Sequence, residues 1–357
     1  MSVYIIAEAG VNHNGSPDMA LRLVDAAAEA GADAVKFQTF KADSLVSKSA
    51  PKASYQKETT KSDESQHEML RRLELNPSTH ETLLERCRER GIDFLSTPFD
   101  QASLDFLVCD LRLKIIKLGS GEVTNGPLLF QAARHSVDII LSTGMSTLGE
   151  VEMALACLAF GYIGNDEPPS PEAFLAAFAS PEGQDALRRK VTLLHCTTEY
   201  PAPFVDVNLR SMLTMRDAFG LRAGYSDHTE GIAVSVAAVA LGASVIEKHF
   251  TLDRTLPGPD HRASLEPDEL SELVHSVRQV EVALGKNVKA PSPSEWENRL
   301  IVRKSLVAAR PIQKGESFTE ANVTCKRPGT GVSPLDYWDV MGKTSLQGFK
   351  EDEGIKI

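Results

Sequence analysis

Two hydrophobic rhythms trade places along this chain. Short apolar, β-rich runs fall at Val3–Ala7, Ala34–Gln38, Phe94–Thr97, Ile115–Leu118, Ile139–Thr143, Thr192–Cys196, Ala223–Ser226 and Val245–His249. Between them, apolar residues recur at helical spacing over Pro17–Ala30, Pro77–Arg90, Ala102–Cys109, Pro127–His135, Leu148–Phe160, Val207–Ala218 and Ile232–Leu241, and a last helix, Pro267–Leu284, follows the eighth run. Gly91 gives the helix that ends at Arg90 a normal C-terminal stop. Strand–helix units repeated in this way predict an α/β fold, a closed (β/α)8 barrel rather than an open doubly wound sheet. No GxGxxG occurs, and the nearest string, GSGEVTNG at 119–126, has the wrong spacing for a dinucleotide loop.

Two stretches interrupt the rhythm. Residues 41–76 are polar and predict a loop with a short helix near Ser65–Leu73. Residues 162–189 are rich in Pro, Glu and Ala and predict a peripheral insertion with one short surface helix near Glu172–Phe178. After Leu284 the texture changes to GKNVKAPSPSEWENR, then to short β-like runs with turn signals and no long amphipathic helix. The expected organisation is a barrel over 1–285, a polar linker over 286–299 and a compact β-rich module over 300–357.

The 357 residues suit one barrel of roughly 250 residues plus a small appendage. The net charge of −11 argues against nucleic acid or an anionic membrane as partner. MSVYIIAEAG has no basic region and meets an acid at Glu8, unlike a signal peptide. The most apolar run, Val234–Ile246, is too short to span a bilayer. Five dispersed cysteines without CxxC spacing suit reduced thiols, so a cytoplasmic protein is expected.

In a barrel of this kind, chemistry sits where strands end and βα loops begin. Those positions hold Glu8, Asn12 and His13 after the first strand, Lys36 and Gln38 on one face of the second, and Ser96 and Thr97 on the third. The fourth gives Lys117, Ser120 and Glu122, the fifth Ser142, Thr143 and Gly144, and the sixth His195, Thr197, Thr198 and Tyr200. The seventh gives Ser226, Asp227 and His228, the eighth Glu247 and His249, with Asp260 in the loop beyond. A lysine inside a strand is costly to bury without an anion. Lys36 or Lys117 alone would pair with a buried acid or snorkel to the rim. Together, beside the Gly–Ser loops LGSGE and LSTGM, they predict a small dianionic or trianionic ligand held by ammonium, hydroxyl and backbone N–H groups. His228 and His249, on adjacent parallel strands, converge at one rim and suit a divalent metal with open coordination positions. Taken alone, the same two histidines read equally as a helix cap and a core residue. Glu247 is expected to pair with lysine, and some of the remaining carboxylates to move protons. His13, His195 and His261 are expected to shape a turn, to pack or hydrogen-bond, and to lie in a loop.

The strings AEAGVNHNG, VKFQTFKAD, STPFD, LGSGE, LSTGM, LLHCTTEYPAPF, GYSDHT, EKHFTLD, GPDH and KRPGTG occur in the order found in the sialic acid synthase family. The chain closely resembles its bacterial members, those that make N-acetylneuraminate or legionaminate, over nearly its whole length. The C-terminal stretch resembles the SAF, or antifreeze-like, module. The resemblance implies condensation of phosphoenolpyruvate with an open-chain N-acetylated mannosamine-type sugar, with release of phosphate. It implies that His228 and His249 hold a divalent metal, Mn2+ first, with Mg2+ or Co2+ as alternatives. It places Lys36, Lys117, Ser120, Ser142 and Ser226 at phosphoenolpyruvate, Gln38, Tyr200 and Asp260 near the sugar, and Glu8 and Glu122 around the reacting carbons. Thr97 and Thr198 complete the substrate-binding set. It also implies a domain-swapped homodimer in which Arg327, in KRPG, reaches the partner's active site. Some family members carry Asn where this chain has Thr198, and the TTEYP version resembles a subset that includes legionaminate synthases, so the sugar stays open. The rivals are a pseudaminate synthase, a metal-dependent barrel aldolase or hydrolase without phosphoenolpyruvate, and a non-catalytic carbohydrate-binding protein.

Overall fold

The strand-like runs pair in parallel, and helices cover their outer faces. The computed structural model of the chain describes residues 2–52, 60, 64–164 and 167–357. Two compact units divide it, Met1–Gly285 and Lys286–Ile357. The first holds β1 (Tyr4–Gly10), β2 (Ala34–Thr39), β3 (Asp93–Pro98), β4 (Ile115–Leu118), β5 (Asp138–Ser142), β6 (Val191–His195), β7 (Arg222–Asp227) and β8 (Val245–His249). Their hydrogen-bonded order is β3-β2-β1-β8-β7-β6-β5-β4. The first and last strands are therefore neighbours, with Tyr4 opposite Val245 and Glu8 opposite His249. β3 and β4, at the ends of that order, lie against each other and close the ring. This is the (β/α)8 barrel expected from the pattern.

Local chemistry sets the helix boundaries. Ser16 caps Pro17–Glu29 by accepting from Met19 N, and Asn76 caps Pro77–Arg90 by accepting from Thr79 N. Thr147 and Glu150 form a reciprocal capping box at the start of Leu148–Ile163. Gly91 ends its helix in the left-handed conformation at φ 68°.

Side chains alternate between the two faces of each strand, so every second residue enters the barrel. The lower interior is an apolar floor of Ile6, Ala34, Leu95, Ile140, Leu194 and Val245. Gly224 belongs to this layer, and a Cβ there would lie 2.3 Å from Val245 O and 2.8 Å from the Leu194 side chain. Two residues further along the same strands come Glu8, Lys36, Thr97, Ser142, Cys196, Ser226 and Glu247, with Lys117 two beyond Ile115 on β4. A polar layer thus rests directly on an apolar one. Outward-facing residues such as Ala7, Val35, Leu193, Tyr225 and Ile246 pack beneath the helices as the main core.

The structure departs from the pattern in three places. Residues 162–189 do not form a peripheral insertion with one helix. Two helices, Pro171–Ala179 and Pro181–Lys190, meet at Ser180, and Ala173, Ala177, Ala186 and Leu187 are buried. Ser180 ends the first helix and caps the second through Gly183 N, a double use that composition does not reveal. The expected helix at Ala102–Cys109 is α-helical only to Asp105 and continues as a π-helical turn over Phe106–Asp110. The stretch read as linker carries a 3-10 turn at Pro293–Glu295 that runs into a helix, Trp296–Val302. Part of the 41–76 excursion lies outside the described residues; its expected helix is Gln66–Leu73, opened by a capping box from Ser65 and Glu68, and a further short helix covers Ala42–Leu45.

In the second unit β9 (Ser305–Ala308) and β10 (Val323–Lys326) pair antiparallel. Leu306, Ala308, Ile312, Phe318, Val323, Val340, Phe349 and Ile355 form its own small core. Among the described residues no helix is long and apolar enough to cross a membrane.

Candidate active site

The polar layer lines a cavity of about 160 Å3 at the C-terminal end of the barrel strands. Its charges are paired across strands. Lys36 Nζ lies 2.8 Å from Glu8 Oε2 and 3.6 Å from Glu247 Oε2, while Lys117 Nζ lies 3.2 Å from Glu247 Oε1. All four side chains are buried. Lys36 also donates to Thr97 Oγ1 at 3.1 Å, and Ser226 Oγ donates to Glu247 Oε1 at 2.8 Å. Gln38 Nε2 donates to Glu8 Oε1 at 3.4 Å. Glu247 is the lysine counter-ion that its strand position suggests.

Two carboxylates in one buried layer titrate in opposite directions. Burial would raise Glu247, but the Lys117 and Lys36 cations outweigh it and hold Glu247 well below the usual carboxylate range. Burial keeps Glu8 above that range despite Lys36, with the Glu247 charge adding to the upward push. Burial would lower Lys36, and the Glu247 and Glu8 charges more than offset this and raise it. Glu247 is therefore the fixed anion, and Glu8 the acid able to hold a proton.

The histidines stand beside this layer, His249 at the end of β8 and His228 just after β7. Their ring centroids are 5.6 Å apart, and Tyr200 packs against both, 4.2 Å from His228 and 5.5 Å from His249. His228 Nδ1 donates to Thr197 O at 2.6 Å, which leaves Nε2 free of that bond and 3.4 Å from Ser226 Oγ. Burial holds His228 neutral, with its pKa lowered to about 4, and holds His249 well below its ordinary value, with the Lys36 and Lys117 charges adding to the effect. His249 Nδ1 lies 3.9 Å from Asp260 Oδ2, too far to hydrogen-bond, and is buried without a hydrogen-bond partner among the described residues. Two neutral imidazoles, one with an orphaned nitrogen and a carboxylate within reach, fit a divalent cation. A tighter donor trio, Asp105, Cys109 and His135, lies in the helical layer away from this cavity, and Asp105 and His135 already satisfy each other at 2.8 Å.

The hydroxyl side of the cavity is open to a ligand. Ser142 Oγ and Thr198 Oγ1 are buried and have no hydrogen-bond partner among the described residues. Ser120 Oγ accepts from Gly144 N at 2.9 Å and lies 3.1 Å from Cys196 Sγ. A Cβ at Gly144 would sit 2.3 Å from Thr198 Oγ1, so only glycine lets the β5 loop approach there. Gly10, at φ +52°, does the same near Glu8, Gln38 and Asp260, where a Cβ would meet all three at 3.3–3.6 Å.

The fold thus brings Glu8, Lys36, Gln38, Thr97, Lys117, Ser120, Ser142, Thr198, Tyr200, Ser226, His228 and His249 to one cavity, with Asp260 buried at its edge. Glu122 is placed differently. It closes the 3-10 turn Ser120–Glu122, accepts from Asn125 Nδ2 at 2.6 Å and does not line the cavity. Arg327 lies in the second unit, before a cis peptide to Pro328. Cys196 and Phe99 line the cavity without having been singled out. The two-residue step from Leu194 would have found Cys196. His13 accepts from Gly15 N at 3.0 Å within its turn, His195 Nε2 donates to Val207 O at 2.7 Å, and His261 pairs with Thr251 Oγ1 at 2.7 Å.

Asp260 gives this electrostatics a measurable consequence. Burial and the Glu8 charge raise its carboxyl from 3.8 to about 7, with Lys36 opposing. The folded state then binds a proton that the unfolded chain releases, so stability is present below about pH 4 and is lost as pH rises towards 7, at about 1.4 kcal/mol per unit. In chelator-treated protein, Asp260→Asn is expected to gain stability over the parent across that window and to hold a constant advantage above it. Urea denaturation at pH 4.5, 6 and 8 checks this, and a pH-independent difference would contradict the assignment.

A model described as the NeuB family matches residues 23–289, and one described as the SAF domain matches 303–357. The chain is 51% identical to an N,N'-diacetyllegionaminic acid synthase of Campylobacter jejuni over 99% of its length and 98% of the relative's. A protein of the same description from Legionella pneumophila is 46% identical, covering 96% and 90%. A pseudaminic acid synthase of Campylobacter jejuni is more distant, at 33%. The crystal structure of an N-acetylneuraminic acid synthetase from Leptospira borgpetersenii superposes with a TM-score of 0.67 at 33% identity, over 84% of this chain and 90% of that one. Enzymes of the NeuB family are generally metal-dependent, in keeping with the histidine pair. The chain belongs to the NeuB family of sialic acid synthases, and it is a phosphoenolpyruvate-dependent condensing enzyme joining that substrate to an N-acetylated sugar.

Proposed function

We propose that this enzyme is an N,N'-diacetyllegionaminic acid synthase, which condenses phosphoenolpyruvate with 2,4-diacetamido-2,4,6-trideoxymannose and releases phosphate. The observation that carries the reading is the 51% identity to a synthase of that product, against 33% to a pseudaminic acid synthase, over nearly the same span. In this reading Lys36 and Lys117 take the phosphate and carboxylate charges of phosphoenolpyruvate. Glu247 is the counter-ion they share until that ligand arrives, and Ser142 Oγ and Ser120 Oγ supply the shorter polar contacts. Charge-assisted hydrogen bonds of this kind, from buried side chains, act most strongly where charge builds as phosphate leaves.

His228 and His249 hold a divalent metal, Mn2+ in our reading, which supplies Lewis acidity towards the sugar aldehyde. Glu8, kept above the usual carboxylate range, holds or receives the proton exchanged as water adds to the phosphate-bearing carbon, before the bond from that carbon to phosphate breaks. Gln38, Thr97, Thr198, Tyr200 and Asp260 orient the sugar chain. Glu122 acts at one remove, through the turn that carries Ser120. Arg327 belongs to the same proposal: it is donated across a domain-swapped homodimer, and its rigid fork suits an acetamido group. The protein works in the cytoplasm, where phosphoenolpyruvate is available.

Phosphate release from excess phosphoenolpyruvate, measured with a panel of sugars, tests the substrate. The diacetamido sugar is expected to exceed N-acetylmannosamine in kcat/KM by about tenfold or more, because a site built to hydrogen-bond a second acetamide is left unpaired by a hydroxyl. The reverse order would assign a neuraminate synthase, and no phosphate release with either sugar would overturn the assignment of the sugar. In the same assay Arg327→Ala is expected to raise the sugar KM by about tenfold and to leave that of phosphoenolpyruvate within about twofold. Equal effects on both would remove Arg327 from the sugar site.

A further inference from the structure

Behind the two histidines, on the outer face of the same strands, is a buried ion pair that the chemistry above does not use. Asp227 directly precedes His228, and Lys248 directly precedes His249. The two are partners in the β7–β8 ladder. Lys248 Nζ lies 3.1 Å from Asp227 Oδ2, and neither side chain has any exposure. Strand alternation turns both away from the cavity, while Ser226, Glu247 and His249 face it. The pair therefore sits between the sheet and the helix Ala233–Ala240, where neighbouring outward positions are apolar, as at Tyr225 and Ile246.

The carboxylate of Asp227 is fully engaged. Oδ1 accepts from Thr229 N at 2.9 Å and from Thr229 Oγ1 at 2.7 Å, and Oδ2 accepts from Ser235 Oγ at 2.6 Å in addition to Lys248. Lys248 Nζ also donates to Thr229 O. His228 is thus bracketed on both sides by residues tied to β8. Its own backbone carbonyl accepts from Ala202 N at 2.8 Å. No comparable side-chain bond holds His249, whose Nδ1 has no partner among the described residues; its place depends on the strand that carries it.

A well-packed apolar pair would hold a helix on this sheet as firmly as a buried ion pair, or more so, because desolvation of two charges offsets their attraction. What the ions add is direction, since four donors converging on one carboxylate fix the end of β7 against β8. We propose that Asp227 and Lys248 are positioning residues that set the spacing of His228 and His249 for metal binding. The inference rests on reading that histidine pair as the metal site. Outer partners of metal ligands typically govern affinity by about ten- to a hundredfold.

The test is Mn2+ binding to the chelator-treated full-length protein, read by the electron paramagnetic resonance signal of free Mn2+, alongside phosphoenolpyruvate binding by calorimetry. The double variant Asp227→Leu/Lys248→Met removes both charges and leaves neither unpaired. It is expected to stay folded, to weaken Mn2+ binding by about tenfold or more and to leave phosphoenolpyruvate affinity within about twofold. Ser235→Ala keeps the ion pair, removes one donor and serves if the double variant does not fold; it is expected to weaken Mn2+ binding by about threefold. Unchanged Mn2+ affinity in a folded double variant, or in Ser235→Ala when the double variant does not fold, would overturn the proposal. His249→Ala separates the premise from the inference. Mn2+ binding at parental affinity in that variant would remove the metal site itself, whereas its loss there with no effect of the clamp variants would remove only the clamp.

Discussion

Glu247 held between Lys36 and Lys117 is the interaction on which the top of this barrel depends. Two ammonium groups and two carboxylates share a layer closed from below by Ile6, Ala34, Leu95, Ile140, Leu194 and Val245. Four charges in such a place are tolerated only when every one has a partner. The arrangement leaves Glu247 ionised, while burial makes Glu8 the acid that can carry a proton and keeps the nearby imidazoles neutral. The cost of the layer is met by the surrounding core, where outward strand faces and helices bury a continuous apolar shell.

The barrel converts a simple rule into this site. Because side chains alternate, one polar residue two steps beyond each floor residue is enough to build a ring from eight separate segments. The lysines come from β2 and β4, the acids from β1 and β8, the histidines from the ends of β7 and β8, and the free hydroxyls from β5 and the loop after β6. Glycine at 10 and at 144 lets the intervening loops come close enough for Glu8, Gln38 and Asp260 to converge on one side and Ser120 and Thr198 on the other. Behind the ring, Asp227 and Lys248 fasten the two strands that carry the histidines.

Much of this was legible in the sequence because periodicity and chemistry agree. The strand-like runs lie on the barrel strands, and polar residues at strand ends, read as a group, pick out the cavity. The pairing of Glu247 followed from a lysine problem that needed an acid. What the sequence hid was of two kinds. Helices made by caps rather than by apolar spacing were missed, as at Pro181–Lys190 and Trp296–Val302, where Ser–Pro pairs start a helix inside stretches that look like loop. Geometry set by one turn was missed as well. Glu122 sits two residues from Ser120, yet the 3-10 turn sends its carboxylate to Asn125 rather than into the cavity. Alternation also concealed Asp227 and Lys248, because a charged residue next to a histidine reads as part of the same site until the faces are told apart.

The central claim is that the lysine pair is the anion-binding element, with Glu247 as its resident counter-ion. Calorimetric titration of phosphoenolpyruvate into the parent protein and into Lys117→Met, at the same ionic strength and without sugar, tests it most directly. Removing one partner from a buried charge-assisted contact costs about 2 kcal/mol or more. The dissociation constant for phosphoenolpyruvate should therefore rise by about thirtyfold or more, with Mn2+ affinity unchanged. A Lys117→Met protein that is folded and binds phosphoenolpyruvate as tightly as the parent would contradict the account.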